Sequence, residues 1–507
     1  MSTPTAHTPT DEQTAAVDAF KHGDHLALQA GAGTGKTTTL ALLASATQAR
    51  GRYIAFNKAI ATAAAAAFPP NVVCKTAHAM AFAAIGHRYL PRLNAPRTPT
   101  WKTGAALGIT KPLRIGDRDV SERALSNAAL KTVTHFCHSV DTHLRARHVP
   151  RLRGLEDDTH HAALAHHVLP YARKAWADLQ HPREGVVRFD HDHYLKIWAL
   201  SDPKIPADFL LLDEAQDTNP VLEGILTAQR GHAQLVIVGD SAQAIYGWRG
   251  ARDVMTGFAG THLHLSQSFR FGPHLAEEAN RWLAIADAPI RLTGTPTLTT
   301  TIGDHHQPTA ILCRTNVGAM IQVFHHLATG HRVALTGGGA ALQALAHAAR
   351  DLKAGQPTTH PELLLFRTWG ELQDYAEHDP SGRDLAPLVD LVDTHGTDAI
   401  LNAVNQLSHE AFADITVSTA HKAKGREWPV VRIADDFTEP APSPDTPAAE
   451  DGTPQPGPID TAEARLSYVA VTRARQHLDL GGLNWIDHHP DGNPTQPRPH
   501  DKPLPTT

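Results

Sequence analysis

Residues 30–39 read Ala-Gly-Ala-Gly-Thr-Gly-Lys-Thr-Thr-Thr; the apolar run His25–Gln29 precedes them and the helix-like stretch Thr38–Ala46 follows. A strand feeding a glycine-rich turn that opens a helix is the arrangement of a phosphate-binding loop. Without side chains, Gly31, Gly33 and Gly35 let the turn curl until successive backbone N–H groups converge on one anion. The helix that follows adds its unpaired N-terminal donors and partial positive charge. Lys36 has the length to reach β- and γ-phosphates, and the Thr37 hydroxyl suits Mg²⁺. The general pattern asks for glycine at position 30, where this chain has Ala30. An ordinary βα turn would not carry Gly-Lys-Thr at this offset, so a nucleoside triphosphate ligand is expected.

Outward from the loop, 507 residues exceed what one hydrophobic core supports and imply three or four domains. The composition, 41% hydrophobic and 19% charged, is that of a globular protein, and no apolar run approaches the roughly 20 residues of a membrane helix. Residues 1–10 carry no signal-peptide pattern, and Cys74, Cys137 and Cys313 are too dispersed for a disulfide framework, so no membrane and a cytoplasmic location are expected. The net charge of −6 does not advertise nucleic-acid binding; a local basic track would still allow it. The clusters His135/Cys137/His138 and His160/His161/His166/His167 fit no zinc spacing and are ascribed to the abundance of histidine, 35 in all.

Ten short β-rich runs recur: 25–29, 52–57, 72–76, 209–212, 235–239, 262–266, 309–314, 333–336, 415–418 and 430–433. Most are continuously apolar, as parallel strands covered on both faces should be, and helical stretches separate them. The expected class is α/β with two RecA-like parallel-sheet cores, since five runs precede Asp240 and five follow Thr261. Residues 1–90 and 196–261 are assigned to the first core, 262–345 and 414–485 to the second. A helical insertion, 91–195, interrupts the first and a reduced one, 346–413, the second. The Pro- and Asp-rich loop 438–458 is expected to be disordered and the tail 486–507 flexible.

A second strand, Leu210–Leu212, ends in Asp213-Glu214-Ala215-Gln216-Asp217. Paired acids at a strand end suit a nucleotide hydrolase, Asp213 for the Mg²⁺ shell and Glu214 for the attacking water. The next strand runs into Gly239-Asp240-Ser241-Ala242-Gln243 and then Tyr246-Gly247-Trp248-Arg249. Gln243 is a candidate reader of the γ-phosphate. Tyr246 and Trp248 beside Arg249 offer a stacking platform for bases, the alternative being a buried aromatic pair.

Together these segments resemble motifs I, II and III of superfamily 1A DNA helicases of the UvrD/Rep type, a family that also has alanine at the place of Ala30. Further segments resemble the remaining motifs in order: Gln13 the adenine-reading Q motif, Phe56-Asn57-Lys58 motif Ia, Thr76-Ala77-His78 the next DNA-contacting motif. Ser266–Arg270 resembles motif IV, Thr419–Trp428 motif V and Glu463–Arg475 motif VI. The resemblance covers residues 11–484. Tyr53–Lys58, Cys74–His78 and Ser266–Gly272 are most similar to the F-box DNA helicase branch, in a minimal form with no F-box region.

The resemblance implies ATP and Mg²⁺ as cofactors. It implies catalytic roles for Lys36, Asp213, Glu214, Gln243, Arg270 and Arg473. Nucleotide contacts fall on Gln13, Gly31, Gly33, Thr34, Gly35, Lys36, Thr37, Thr38, Phe269 and Glu427, and metal contacts on Thr37 and Asp213. Phe269 replaces the usual tyrosine of motif IV, with the flat face that stacking on adenine requires. Thr10-x-x-Gln13 also fits a helix capping box, so Gln13 has a purely structural reading too. DNA contacts fall on Phe56, His78, Tyr246, Trp248, Arg249 and His421. The implied activity is ATP-driven translocation and unwinding, 3′ to 5′, on single-stranded and tailed duplex DNA in repair or recombination. Alternatives are a translocase that strips recombinase from DNA, or a DNA-sensing ATPase serving a nuclease partner in a defence complex. Arg426 stands where motif V usually has leucine, and the short interval from Arg270 to Ile415 leaves room for only a vestigial 2B subdomain.

Overall fold

The computed structural model describes residues 8–95, 98–116, 118–245, 253–360, 363–364, 366–378, 385–442 and 455–492. Tyr246, Trp248 and Arg249 lie outside them, as do residues 443–454 of the expected loop and 493–507 of the expected tail.

The strands, in chain order, are β1 (Leu26–Ala30), β2 (Gly51–Ala55), β3 (Val72–Thr76), β4 (Leu113–Ile115), β5 (Arg118–Val120), β6 (Phe209–Leu212), β7 (Gln234–Gly239) and β8 (Thr261–Leu265). They continue as β9 (Gln267–Ser268), β10 (Thr293–Gly294), β11 (Thr301–Ile302), β12 (Ala310–Cys313), β13 (Val333–Leu335), β14 (Ile415–Thr419), β15 (Trp428–Ile433) and β16 (Ala474–Asp479). Two six-stranded sheets result, ordered β3-β2-β6-β7-β1-β8 and β11-β16-β15-β12-β14-β13. Every pairing in both is parallel. Every residue of β1, β6, β12 and β14 is buried, as in parallel strands covered on both faces; β6 and β12 are wholly apolar, while β1 and β14 also bury Gln29, Thr416, Ser418 and Thr419. Because the strands are parallel, the segments after β1, β2, β3, β6 and β7 all emerge at one edge of the first sheet, where α/β proteins place their ligands.

The short strands β4, β5, β9, β10 and β11 match none of the ten expected runs, and two longer strands depart from the sequence expectation. β8 was expected to open the second core; it pairs with β1 instead, Leu26 opposite Thr261 through Ala30 opposite Leu265, and closes the first sheet. It is an edge strand, so its polar-apolar alternation reflects one solvated side. β16 was not expected: Arg475, Gln476 and His477 break its apolar run, yet it lies between β11 and β15.

The segment 91–195 contributes helices Thr100–Leu107, Glu122–Cys137, Asp158–Leu179 and His191–Ala199 and the antiparallel hairpin β4–β5. Ile109, Val120, Ala128, Leu164 and Val168 form a cluster of its own. The helices Ala340–Lys353, Trp369–His378 and Ala386–Asn405 do not form a separate core. Leu352, Leu372, Leu388 and Val392 share one cluster with Ile311, Val333 and Val417 of the second sheet, so these helices cover its face. Two ion pairs join them to the hairpin: Arg118 to Glu371 at 3.0 Å and Arg367 to Asp119 at 3.2 Å. Residues 486–492, expected to be flexible, are packed. Ile486 is fully buried with the second core, and neighbouring Trp485 stands edge-on to Trp282 and donates to the Phe437 carbonyl at 3.1 Å.

Candidate functional site

The loop after β1 turns on two left-handed glycines, Gly33 (φ 76°) and Gly35 (φ 74°), the second of which starts helix Lys36–Ser45. Any other residue would be strained there. The Lys36 ammonium rests on the loop's own carbonyls, 3.1 Å from Ala30 O and 3.1 Å from Gly31 O. Thr34 is buried with its hydroxyl on Gly31 O, and Thr38 lies in the first turn of the helix. Thr37 Oγ1 donates to Asp213 Oδ2 at 2.8 Å, which joins the loop to the end of β6.

Asp213 is held from three sides. Tyr53 Oη donates to the same Oδ2 at 2.7 Å, and Oδ1 accepts from the Glu214 backbone N–H at 2.9 Å. Burial and the neighbouring charge of Glu214 push the Asp213 carboxyl above its ordinary pKa. Glu214 goes the other way. Burial would raise it, but Lys36, Lys424, the hydrogen bond from Gln216 and Arg473 bring it below the usual value, so it stays ionised. Its backbone is left-handed (φ 53°, ψ 45°), a conformation costing a non-glycine residue about 1–3 kcal/mol and typical of functional sites.

A hydrogen-bonded chain continues from Glu214. Its Oε2 accepts from Gln216 Nε2 at 2.6 Å, and Gln216 Oε1 accepts from the Asp240 backbone at 3.0 Å. Asp240 Oδ2 accepts from Gln243 Nε2 at 2.8 Å. The residues after β6 and β7 are thereby one network.

Segments of the second core close over this edge. Phe269 N donates to Gly33 O at 2.9 Å. A methyl group added to Gly35 would stand 3.6 Å from Gln13 Nε2 and 3.7 Å from the Phe269 ring; one on Gly33 would collide with Ser268 Oγ at 2.6 Å. Gln13 and Phe269 thus flank the loop together. Gln13 has its capping use, its Oε1 completing the box with Thr10, while its Nε2 donates to Thr39 Oγ1 at 3.0 Å. Glu12, beside it, binds Ser266 N and Oγ, each at 2.7 Å.

Arg473 is 1% exposed and bonds to Val469 O, Thr472 Oγ1 and Arg426 O. Among the described residues no carboxylate lies within ion-pair distance of it; burial and the nearby Arg270 push its guanidinium down to about 9. Arg270 is parked on Glu427 at 2.7 Å and on Thr472 O at 2.9 Å, while Arg475 also reaches Glu427. Lys424 crosses to the first core, where its ammonium is 2.6 Å from Asp217 Oδ2 and bonds to the Gln243 carbonyl. Burial pushes Asp217 up to about 6 against the pull of Lys424.

The residues expected to touch DNA are placed as follows. Phe56 follows β2 and is 57% exposed. His78 follows β3, part-exposed, with Nε2 2.9 Å from Asp192 Oδ1; the other oxygen of Asp192 holds His138 at 3.0 Å. Burial opposes ionisation of Asp192, but the two imidazoles hold its carboxyl far below the usual range. His421 lies in the short helix Ala420–Ala423 that follows β14, partly exposed. Arg426 is paired with Glu410 at 2.7 Å, which answers its charge.

Sequence reasoning assigned no role to Tyr53, Gln216, Asp217, Asp240, Lys424 or Tyr468. All but Tyr53 stand inside motifs II, III, V or VI, and that position was their only signal.

Residues 13–249 match the family model described as an AAA domain, and residues 363–481 match the UvrD-like helicase C-terminal domain. The chain is 29% identical to F-box DNA helicase protein 1 of Schizosaccharomyces pombe, over 90% of this chain and 55% of that protein. It is 28% identical to F-box DNA helicase 1 of Gallus gallus, over 90% of this chain and 47% of that protein. The chain therefore spans about half the length of these curated relatives. Among the described residues no helix is long and apolar enough to cross a membrane.

Proposed function

This chain belongs to the UvrD-like helicases of superfamily 1, and from that premise we propose that it is an ATP-dependent motor and helicase on single-stranded DNA. The observation that carries the proposal is the meeting of two sets of groups in one cleft. Lys36, Thr37, Asp213 and Glu214 come from the first sheet, Arg270 and Arg473 from the segments of the second.

The chemistry of the donors suits ATP–Mg²⁺. Thr37 Oγ1 and Asp213 Oδ2 are hard oxygens already converged at 2.8 Å, and Mg²⁺ takes such ligands. Lys36 and Arg473, one resting on carbonyls and one buried with no carboxylate among the described residues in ion-pair range, are cations that a polyphosphate would complete. Gln13 and Phe269 flank the loop as an adenine site requires. Bound ATP would supply the phosphoanhydride to be cleaved. Glu214, kept ionised by its cationic neighbours, takes the proton of the attacking water, and Gln243 orients on the γ-phosphate. Arg473 and Arg270 offset the charge that develops there; an arginine supplied this way contributes roughly 10³–10⁵ in rate. Since both arginines come from the second core, hydrolysis requires that the cores be together, and its completion lets them part.

On the DNA side, Phe56, His78 and His421, with Tyr246, Trp248 and Arg249, supply stacking faces and donors for a single strand. Polarity of 3′ to 5′, action on tailed duplexes, and work in repair or recombination are part of the same proposal and rest on the family resemblance. The test is the ATPase rate with and without single-stranded DNA, with Lys36→Ala as control. Stimulation by DNA that Lys36→Ala abolishes is the expected result; turnover indifferent to DNA would reject the motor.

A further inference from the structure

Tyr468 lies in helix Thr461–Val471 of the second core and is fully buried. Its hydroxyl accepts from the backbone N–H of Ala32 at 2.9 Å and donates to Asp240 Oδ2 at 2.9 Å. Both partners belong to the first core, so one phenol, acting as donor and acceptor at once, ties the phosphate-binding loop to the end of β7. The oxygen it reaches on Asp240 is the one that Gln243 Nε2 also uses, at 2.8 Å. The backbone of Asp240 leads through Gln216 to Glu214. Every link from Ala32 to Glu214 is thus a hydrogen bond, and one member of the chain is delivered by the opposite core.

We propose that Tyr468 is a positioning residue: when the second core closes, its hydroxyl fixes Asp240, and through it Gln243 and Glu214, in the geometry that hydrolysis needs. Parting of the cores withdraws the hydroxyl and leaves Asp240 and the Ala32 amide unmatched, so the water-activating and phosphate-reading groups are set only in the closed molecule. This rests on the ATPase reading above. It assigns to the hydroxyl a function that the arginines alone do not supply, since Arg270 and Arg473 act on the phosphate and Tyr468 acts on the first core's own side chains.

The test is Tyr468→Phe, which removes one oxygen and keeps the ring. Single-stranded-DNA-stimulated kcat should fall by about tenfold or more, the rate equivalent of one misplaced hydrogen bond. The KM for ATP should stay within about twofold, because the hydroxyl bonds to Asp240 and the Ala32 amide and its loss leaves the contacts of Lys36 and Thr37 in place. In an Asp240→Ala background, Tyr468→Phe should cost no more than about twofold further, since both branches run through Asp240. A tyrosine that merely packs would multiply its loss with that of Asp240→Ala, and that product would overturn the inference. Asp240→Asn, which keeps Tyr468 intact and changes only the shared carboxylate, should reproduce the fall in kcat should Tyr468→Phe fold poorly. If wild-type turnover is stimulated by DNA and both variants remain equally stimulated, the positioning role is rejected while the motor stands. If wild-type turnover ignores DNA, the motor reading itself fails.

Discussion

Arg473 shows how a single side chain can be arranged against stability and for chemistry. A guanidinium pushed down to about 9 by burial and bonded to carbonyl and hydroxyl oxygens, with no carboxylate among the described residues in ion-pair range, is a costly buried charge that Asp240 and Glu214 offset only from a distance. Removing it relieves that cost, so Arg473→Met should leave the nucleotide-free melting temperature unchanged or raised while kcat falls by roughly 10³. A melting curve shifted to lower temperature would mean that Arg473 is a structural residue. At this scale the sequence was legible wherever chemistry dictates residue type at fixed spacing: Lys36, Thr37, Asp213 and Glu214 converge as their motifs require. Tyr53, Lys424 and Tyr468 were not legible as participants. Their partners, Asp213, Asp217 and Asp240, are more than 150 positions distant, and a tyrosine in an apolar strand or helix looks like core.

Among the elements, helix Asp11–Lys21 carries two duties on one turn. Thr10 caps it, Glu12 holds Ser266 at the end of β8, and Gln13 faces the phosphate-binding loop. Thr10→Ala should cost about 1 kcal/mol of stability, measured by denaturant melting, as the loss of an N-cap does. Gln13→Ala should raise KM for ATP toward that for GTP; an undiminished preference for ATP would restrict Gln13 to its capping role. Elements buried on both sides, such as β6 and β12, were plain in sequence because their apolar runs have no competing explanation. β8 and β16 were misplaced or missed because one is an edge strand and the other carries three polar residues in a row, so local pattern gave way to tertiary pairing.

In the whole molecule, the helices between β13 and β14 are part of the second core and not an appended regulatory unit. Leu372, Leu388 and Val392 share its sheet's cluster, and Arg118–Glu371 and Arg367–Asp119 tie this layer to the inserted hairpin of the first core. Excising residues 355–408 should therefore expose Ile311, Val333 and Val417 and yield unfolded or aggregated protein; a soluble variant with raised ATPase would reveal an autoinhibitory insertion instead. The picture of two cores meeting over one nucleotide predicts cyclic closure coupled to movement along a strand. The most direct measurement is the time at which the protein reaches a fluorophore on the end of single-stranded DNA, as a function of strand length. With ATP and Mg²⁺, arrival at a 5′-end label should be delayed in proportion to length, and Lys36→Ala should abolish it. Arrival times independent of length at both ends, with ATP hydrolysis intact, would contradict the motor.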